Sequence, residues 1–309
     1  MPQRASMKTR RAAHPRAAGR RFLPQVTDRL PIGGTGLSVS PICLGCVEDP
    51  DTISVAFDLG INFFFLTADM HWPVYDTARR GLGDLLNRRR SVRDNIVVAV
   101  ASYVTQPEFT YLPFAELLQA VPLLERLDIV VVGGAYGAEF PVRQRLYLEH
   151  VRRGEFGARA VGATFHDREA AVVAINEEQV DLAFIRYNPA HPSARADVFP
   201  RLQPSSTKVF NFKSMIGYTK PHKLRKLGVS KHHWQPTPTD YYRFALSQPA
   251  IDGLLCSLEH PREVRALRLA LKSPPLDEQE QRYLIDLANL SAGRVRIADH
   301  GPQRRSKSE

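Results

Sequence analysis

Only three of the 309 residues are cysteine: Cys43, Cys46 and Cys256. That is too few for a disulfide framework, and a reducing, cytoplasmic setting is expected. Cys43-Leu44-Gly45-Cys46 has C-x-x-C spacing, but no helix N-terminus activates it and residues three apart on a strand face opposite ways, so packing is the expected role of Cys43. No run approaches the ~18 apolar residues of a membrane-spanning helix, and no membrane partner is expected. No apolar h-region follows the basic N-terminus, which argues against a secretory leader. Acid is also missing from residues 1–21, which hold Arg4, Lys8, Arg10, Arg11, Arg16, Arg20 and Arg21. This Ala/Arg-rich stretch bears some likeness to an organelle transit peptide.

The formal charge of +10 belongs to the ends. Seven charges come from residues 1–21; Arg294, Arg296, Arg304, Arg305 and Lys307 against Asp299 and Glu309 add three. The body between them is close to neutral. Residues 1–28 and 293–309 read as solvated, disordered tails that meet acidic partners without specificity; no specific nucleic-acid partner is expected. Hydrophobic residues make up 43% of the chain, enough for one sizeable core over residues 29–292.

Within that span apolar runs alternate with amphipathic stretches. Strands are expected at Val39–Gly45, Asn62–Leu66, Ile96–Ala101, Asp128–Val132, Ala158–Thr164, Asp181–Tyr187, Lys208–Phe212 and Gly253–Cys256. Several are continuously apolar, as strands of a helix-covered parallel sheet are. Helical patterns fall at Asp51–Leu59, with Asp51 as cap, and at Asp76–Arg88, Pro113–Leu127, Val142–Arg153, Asp167–Glu177, Asp240–Ser247, Arg262–Leu271 and Asp277–Leu290. Eight β-α units predict an α/β fold, a (β/α)8 TIM barrel whose functional residues sit at the C-terminal strand ends.

Short motifs point the same way. Ile32-Gly33-Gly34-Thr35-Gly36-Leu37-Ser38-Val39-Ser40-Pro41 suits a hairpin closing the barrel floor. Gly60-Ile61-Asn62-Phe63-Phe64-Phe65-Leu66-Thr67-Ala68, Leu82-Gly83, Arg93-Asp94-Asn95-Ile96-Val97-Val98-Ala99, Gly162-Ala163-Thr164, Arg186-Tyr187-Asn188 and Tyr242-Arg243-Phe244-Ala245-Leu246 follow in order. Together they resemble the aldo-keto reductases over roughly Leu30 to Leu290. The resemblance implies a barrel with an N-terminal hairpin, a nicotinamide cofactor of the NADP(H) type and a small carbonyl or unsaturated substrate.

It also implies a catalytic tetrad of Asp, Tyr, Lys and His, which this sequence lacks. The Asp position falls on Phe65 or Leu66, the Tyr position on His71, the Lys position on Ala101 and the His position on Gly133. Three readings follow. The barrel is an atypical oxidoreductase in which His71, its tautomer held by Asp69, or else Tyr75, donates the proton. A zinc ion bound by Cys46, Asp69, His71 and Cys256 replaces the tetrad. The chain is a non-catalytic nucleotide sensor or partner protein.

For cofactor binding the resemblance points to Thr164 at the carboxamide, Tyr187 against the nicotinamide, Lys213 and Ser214 at the pyrophosphate, and Ser257, Arg262 and Arg265 at the adenosine end. Phe165 and Phe184 replace the family's Asn and Gln. Trp72, Arg186, Asn188 and His191 are candidate substrate contacts; an arginine ending a strand needs an anionic partner. Residues 213–240 form a long basic and aromatic segment, expected to cover the mouth.

Overall fold

The computed structural model describes residues 22–294. The basic segments 1–21 and 295–309 lie outside the described residues. A short hairpin, β1 (Leu30–Ile32) and β2 (Leu37–Val39), precedes the barrel. It turns through Gly33 and Gly36, both at positive φ, where a Cβ would be strained. Ile32, Leu37 and Val39 project into the barrel interior and plug its floor.

Eight parallel strands close the barrel: β3 (Ile42–Leu44), β4 (Phe63–Thr67), β5 (Val97–Ser102), β6 (Ile129–Ala135), β7 (Ala160–Phe165), β8 (Leu182–Arg186), β9 (Lys208–Phe212) and β10 (Gly253–Cys256), with β10 pairing back to β3. Around them run α1 (Asp51–Asp58), α2 (Asp76–Arg88), α3 (Leu112–Ala120), α4 (Phe140–Arg152), α5 (Arg168–Asn176), α6 (Ala194–Asp197), α7 (Pro221–Lys226), α8 (Pro238–Leu246), α9 (Pro261–Ala270) and α10 (Glu278–Ser291). The expected (β/α)8 architecture is the observed one. Asp167 and Asp277 cap α5 and α10 as their positions suggest. Asp51 does not cap α1: it lies inside the first turn, and Asp49 accepts its backbone N–H at 3.0 Å.

Alternation along the strands sorts side chains between interior and outer layer. Phe63 and Phe65 point inward, Phe64 and Leu66 outward toward the helices. Phe65 meets Phe184 at 5.4 Å, Phe184 meets Phe210 at 6.0 Å, and Phe210 meets Phe63 at 5.5 Å. Small Ala99, Ala101 and Ala160 make room for these rings. Each buried phenylalanine contributes about 1.5–3 kcal/mol, so the interior below the mouth is an apolar plug. An unpaired carboxylate at position 65 would be costly there.

One expectation is corrected. Residues 22–28 are not a free tail: Leu23 and Val26 are buried, and the Gln25 amide donates to the Leu271 carbonyl at 2.7 Å. The long basic segment after β9 is partly helical. It contains α7, its Leu224 and Val229 pack on Tyr283 and Leu287 of α10, and Trp234 stacks on Tyr283 at 6.0 Å.

Candidate active site at the barrel mouth

The C-terminal ends of β4 to β7 carry a hydrogen-bonded cluster. Asp69 Oδ2 accepts from Ser102 Oγ at 2.8 Å and from the Tyr103 backbone N–H. The Ser102 carbonyl accepts from Arg143 Nη2 at 3.0 Å and from the Tyr147 hydroxyl at 3.3 Å, so α4 braces the corner from behind. Tyr103, just past β5, lays its ring on Gly133 and Gly134 of β6. A Cβ on Gly133 would stand 2.9 Å from that ring and 2.7 Å from the Ser102 carbonyl oxygen. Glycine is therefore required at this position. The Tyr103 hydroxyl bonds to the Thr164 side chain, whose Oγ1 accepts the Gly134 N–H at 2.7 Å. The His71 ring packs on Tyr103 at 4.7 Å. Burial, and then the Asp69 carboxylate, raise the Tyr103 phenol above its ordinary pKa.

Asp69 and His71 thus come together around Tyr103, not around each other. The carboxylate oxygen Oδ2 is engaged by Ser102 and Tyr103, while His71 Nδ1 is buried with no hydrogen-bond partner among the described residues. The expectation that Asp69 holds the His71 tautomer is corrected. Trp72 is turned toward α2, its ring covered by the Arg79 guanidinium at 3.5 Å, and so does not reach the mouth as a substrate contact.

Tyr75 lies lower, 6.1 Å from the Phe65 ring and hydrogen-bonded to Cys46. Burial, then Cys46, push its phenol well up. Burial raises the Cys46 thiol too, opposed by hydrogen bonds with Tyr75 and Ser257. The proposed zinc set does not assemble. Cys256 Sγ faces the Cys43 carbonyl at 3.7 Å, and Cys43 itself packs in the interior. Among the described residues the metal-spaced group is instead Glu48, Glu259 and His260, two of them exposed carboxylates.

The ends of β7 to β9 are built differently. Tyr187 is wholly buried, stacked on Phe244 at 5.0 Å and edge-on to Phe199 at 5.1 Å. Burial lifts its pKa to about 12. It belongs to the outer core, which corrects its expected place against a nicotinamide. Asn188, also buried, is a bracket and not an open substrate contact: Nδ2 donates to the Lys213 carbonyl at 2.9 Å, and Oδ1 accepts the His191 N–H at 3.0 Å. Asn211 adds a second bracket, accepting the Tyr187 N–H at 2.7 Å and donating to Ser214 Oγ at 2.7 Å. These brackets present Arg186, His191 and Lys213 at the mouth beside His166. Arg186, His166 and His191 line one small cleft.

The sequence reading missed Tyr103, Arg143 and His166. Tyr103 stands just past the apolar run of β5, and the paired Gly133-Gly134 opposite signals a ring packed on backbone. Nothing in the local sequence of α4 marks Arg143 as a brace.

For a dinucleotide cofactor, four of the expected residues are open to a ligand, since Lys213 and Ser257 are exposed, as are Arg262 and Arg265 at the start of α9, whereas Ser214 is buried with its hydroxyl on Asn211. Arg262 and Arg265 have no ion-pair partner among the described residues. The Thr164 hydroxyl is at the mouth but already engaged by Gly134 and Tyr103.

This architecture is similar to that of solved aldo-keto reductases. The chain superposes on AKR11C1 from Bacillus halodurans in its holo form with a TM-score of 0.64 and 13% identity, covering 84% of this chain and 96% of that one. A thermostable aldo-keto reductase in complex with the inhibitor epalrestat gives 0.63 and 16%, over 84% and 99% of the two chains. A Pseudomonas aeruginosa protein assigned to the same group gives 0.55 and 18%, over 81% and 98%. No family model matches the sequence, and no curated protein does. The likeness establishes the fold.

Proposed function

We propose that this chain is an atypical aldo-keto reductase, an NADP(H)-linked oxidoreductase acting on a small carbonyl or unsaturated substrate, with Tyr103 as proton donor. One observation carries the reading. A phenol stands at the mouth where the tetrad positions are empty, seated on Gly133-Gly134, bonded to Thr164 and packed on His71.

Carbonyl reduction builds negative charge on the substrate oxygen, which needs a proton in place. A phenol of raised pKa is fully protonated at neutral pH and still far more acidic than an alkoxide's conjugate alcohol, so transfer runs downhill. Asp69, Ser102 and Arg143 hold the Tyr103 backbone, and Thr164 orients its hydroxyl. His71 covers the ring and is the nearest group to reprotonate it. The apolar plug of Phe65 and Phe184 keeps water from below. The dinucleotide, when bound, supplies hydride; Lys213, Ser214, Ser257, Arg262 and Arg265 are the residues proposed to hold it.

The loss of all four tetrad positions supports a second reading, a nucleotide-binding relative without turnover. Fluorescence titration with NADPH, followed by a carbonyl and enone screen, separates the two. Binding with turnover that Tyr103→Phe abolishes and Tyr75→Phe spares supports the reductase. Full turnover in Tyr103→Phe removes Tyr103 as donor, and binding without turnover favours the sensor.

A further inference from the structure

The outer flank of the barrel carries a second cluster of reactive groups, where the turn entering α3 meets the last turn of α4. A cleft of about 490 Å³ opens there, and its lining includes Thr110, Tyr111, Leu146, His150, Glu155 and Phe156. That volume suits a small molecule. None of these residues belongs to the barrel mouth. His150 stands between two partners. Its Nδ1 is hydrogen-bonded to Glu155 Oε2, and its Nε2 lies 3.2 Å from Thr110 Oγ1. Thr110 is 2% exposed and the His150 side chain 12%, so both sit deep in the cleft, while Glu155 is more open. Hydroxyl, imidazole and carboxylate thus form a chain, with the imidazole oriented by the acid and in reach of the hydroxyl proton. A nucleophile is activated by such a chain. The Thr110 hydroxyl also donates to the Pro107 carbonyl at 3.0 Å, so Pro107 and His150 compete for one proton. Helix α3 begins two residues on, at Leu112, and no side chain caps it. Its first-turn N–H groups therefore lie beside Thr110 without intrahelical partners, as an oxyanion requires. Phe156 adopts φ +57°, a costly conformation of the kind that packing holds in place at functional sites. Its ring meets His150 at 5.8 Å and Phe114 at 5.6 Å.

We propose that this cleft is a second catalytic site, an esterase-type hydrolytic centre with Thr110 as nucleophile, His150 as general base and Glu155 as the residue that positions the base. The buried hydroxyl restricts the acyl group to a short one such as acetyl, and Tyr111, Leu146 and Phe156 seat an apolar alcohol portion. Thr110 Oγ1 bonds to the ester carbonyl carbon as its proton passes to His150 Nε2. The bond from that carbon to the alcohol oxygen breaks, and His150 returns the proton to the leaving oxygen. Water, deprotonated by His150, then releases the carboxylic acid from the acyl-threonine and restores the hydroxyl. No oxidant or reductant is consumed, so the activity needs no cofactor and does not rest on the reductase reading.

The test is hydrolysis of p-nitrophenyl acetate by the cofactor-free full chain, followed by nitrophenolate absorbance, with mass spectrometry of the acid-quenched protein. The expected result is saturable hydrolysis above the buffer rate and an acetyl adduct on Thr110. Thr110→Val and His150→Gln should each lower kcat by about 10²-fold or more. Glu155→Gln should lower kcat with KM unchanged, a split that a merely structural loss would not give. The surface change Lys272→Gln should leave the rate intact. Thr110→Ser should keep the activity and move the adduct to the serine, and it serves if Thr110→Val fails to fold. A rate no higher than buffer, equal rates in the parent, Thr110→Val and His150→Gln, or acetylation of surface lysines alone overturns the site.

Discussion

The two sides of the barrel mouth handle polarity in opposite ways. From β4 to β7, Asp69, Ser102, Tyr103, Thr164 and Arg143 bond mainly to one another. From β7 to β9, Arg186, Lys213 and Arg294 have no anion among the described residues, and two imidazoles stand with them. The first side is braced by these bonds, while Asp69 Oδ1, His71 Nδ1 and Arg143 Nε stay buried without a hydrogen-bond partner among the described residues. On the second, burial and then the neighbouring Arg186 and Lys213 depress the pKa of His166 and His191. A braced corner is what proton transfer needs, since a donor must be held still; a cluster of charge is what recognition of an ion needs.

The sharpest way to break the comparison is at Tyr103. Tyr103→Phe should lower kcat by about 10²–10⁴, the usual range for a lost general acid, with NADPH affinity retained. Steady-state kinetics beside a binding titration read both.

Gly133→Ala comes next. The added methyl meets the Ser102 carbonyl and the Tyr103 ring, so it should cost about 1–3 kcal/mol by overpacking and move the phenol. Urea unfolding measures the loss; near-ultraviolet circular dichroism reports the displaced ring. Asp69→Ala should cost about 1.5–3 kcal/mol, because two donors lose a charged acceptor. An unchanged midpoint would show that the corner is held by α4 alone.

On the other side the sign should reverse. Arg186→Gln should leave stability unchanged or raise it by on the order of 0.5 kcal/mol, about 1–2 °C in low salt, the gain fading as salt screens the cluster. A clear loss of stability would mean Arg186 packs more than it repels.

The smallest effect is in pH. His166 and His191 are depressed below the ordinary value near 6.5, so the unfolded chain binds more protons in that window. Their share of stability is present above about pH 6.5 and is lost as pH falls through the depressed values. In a His166→Gln, His191→Gln double variant, the fall in melting temperature between pH 7.5 and 5.5 should be smaller than in the parent chain.

Much of the barrel was legible in the chain because apolar continuity and cap residues are local signals. Ile129-Val130-Val131-Val132 can only be a strand buried on both faces, and Lys208–Phe212, Gly253–Cys256 and Asp76–Arg88 have the observed limits. The floor hairpin followed from its glycines. Short α6 and α7 escaped because four to six residues carry no helical period.

The site was legible only in part. Asp69, His71, Arg186, His191 and Lys213 could be placed at the mouth by strand order, because a parallel barrel sends every strand end to one face. The partners that build the Tyr103 corner could not, because those contacts join residues 30 or more apart in sequence. Asp69 reaches Tyr103, Gly133 receives its ring, and Arg143 braces it from another helix. Tyr187 and Trp72 failed as candidates for the same reason: strand or turn position says where a residue stands, while packing against Phe199, Phe244 or Arg79 decides which way it faces. The sequence by itself determined the barrel, through local pattern and residue identity. Which polar groups bond to one another is a matter of distances across the mouth, and only the tertiary structure decided it.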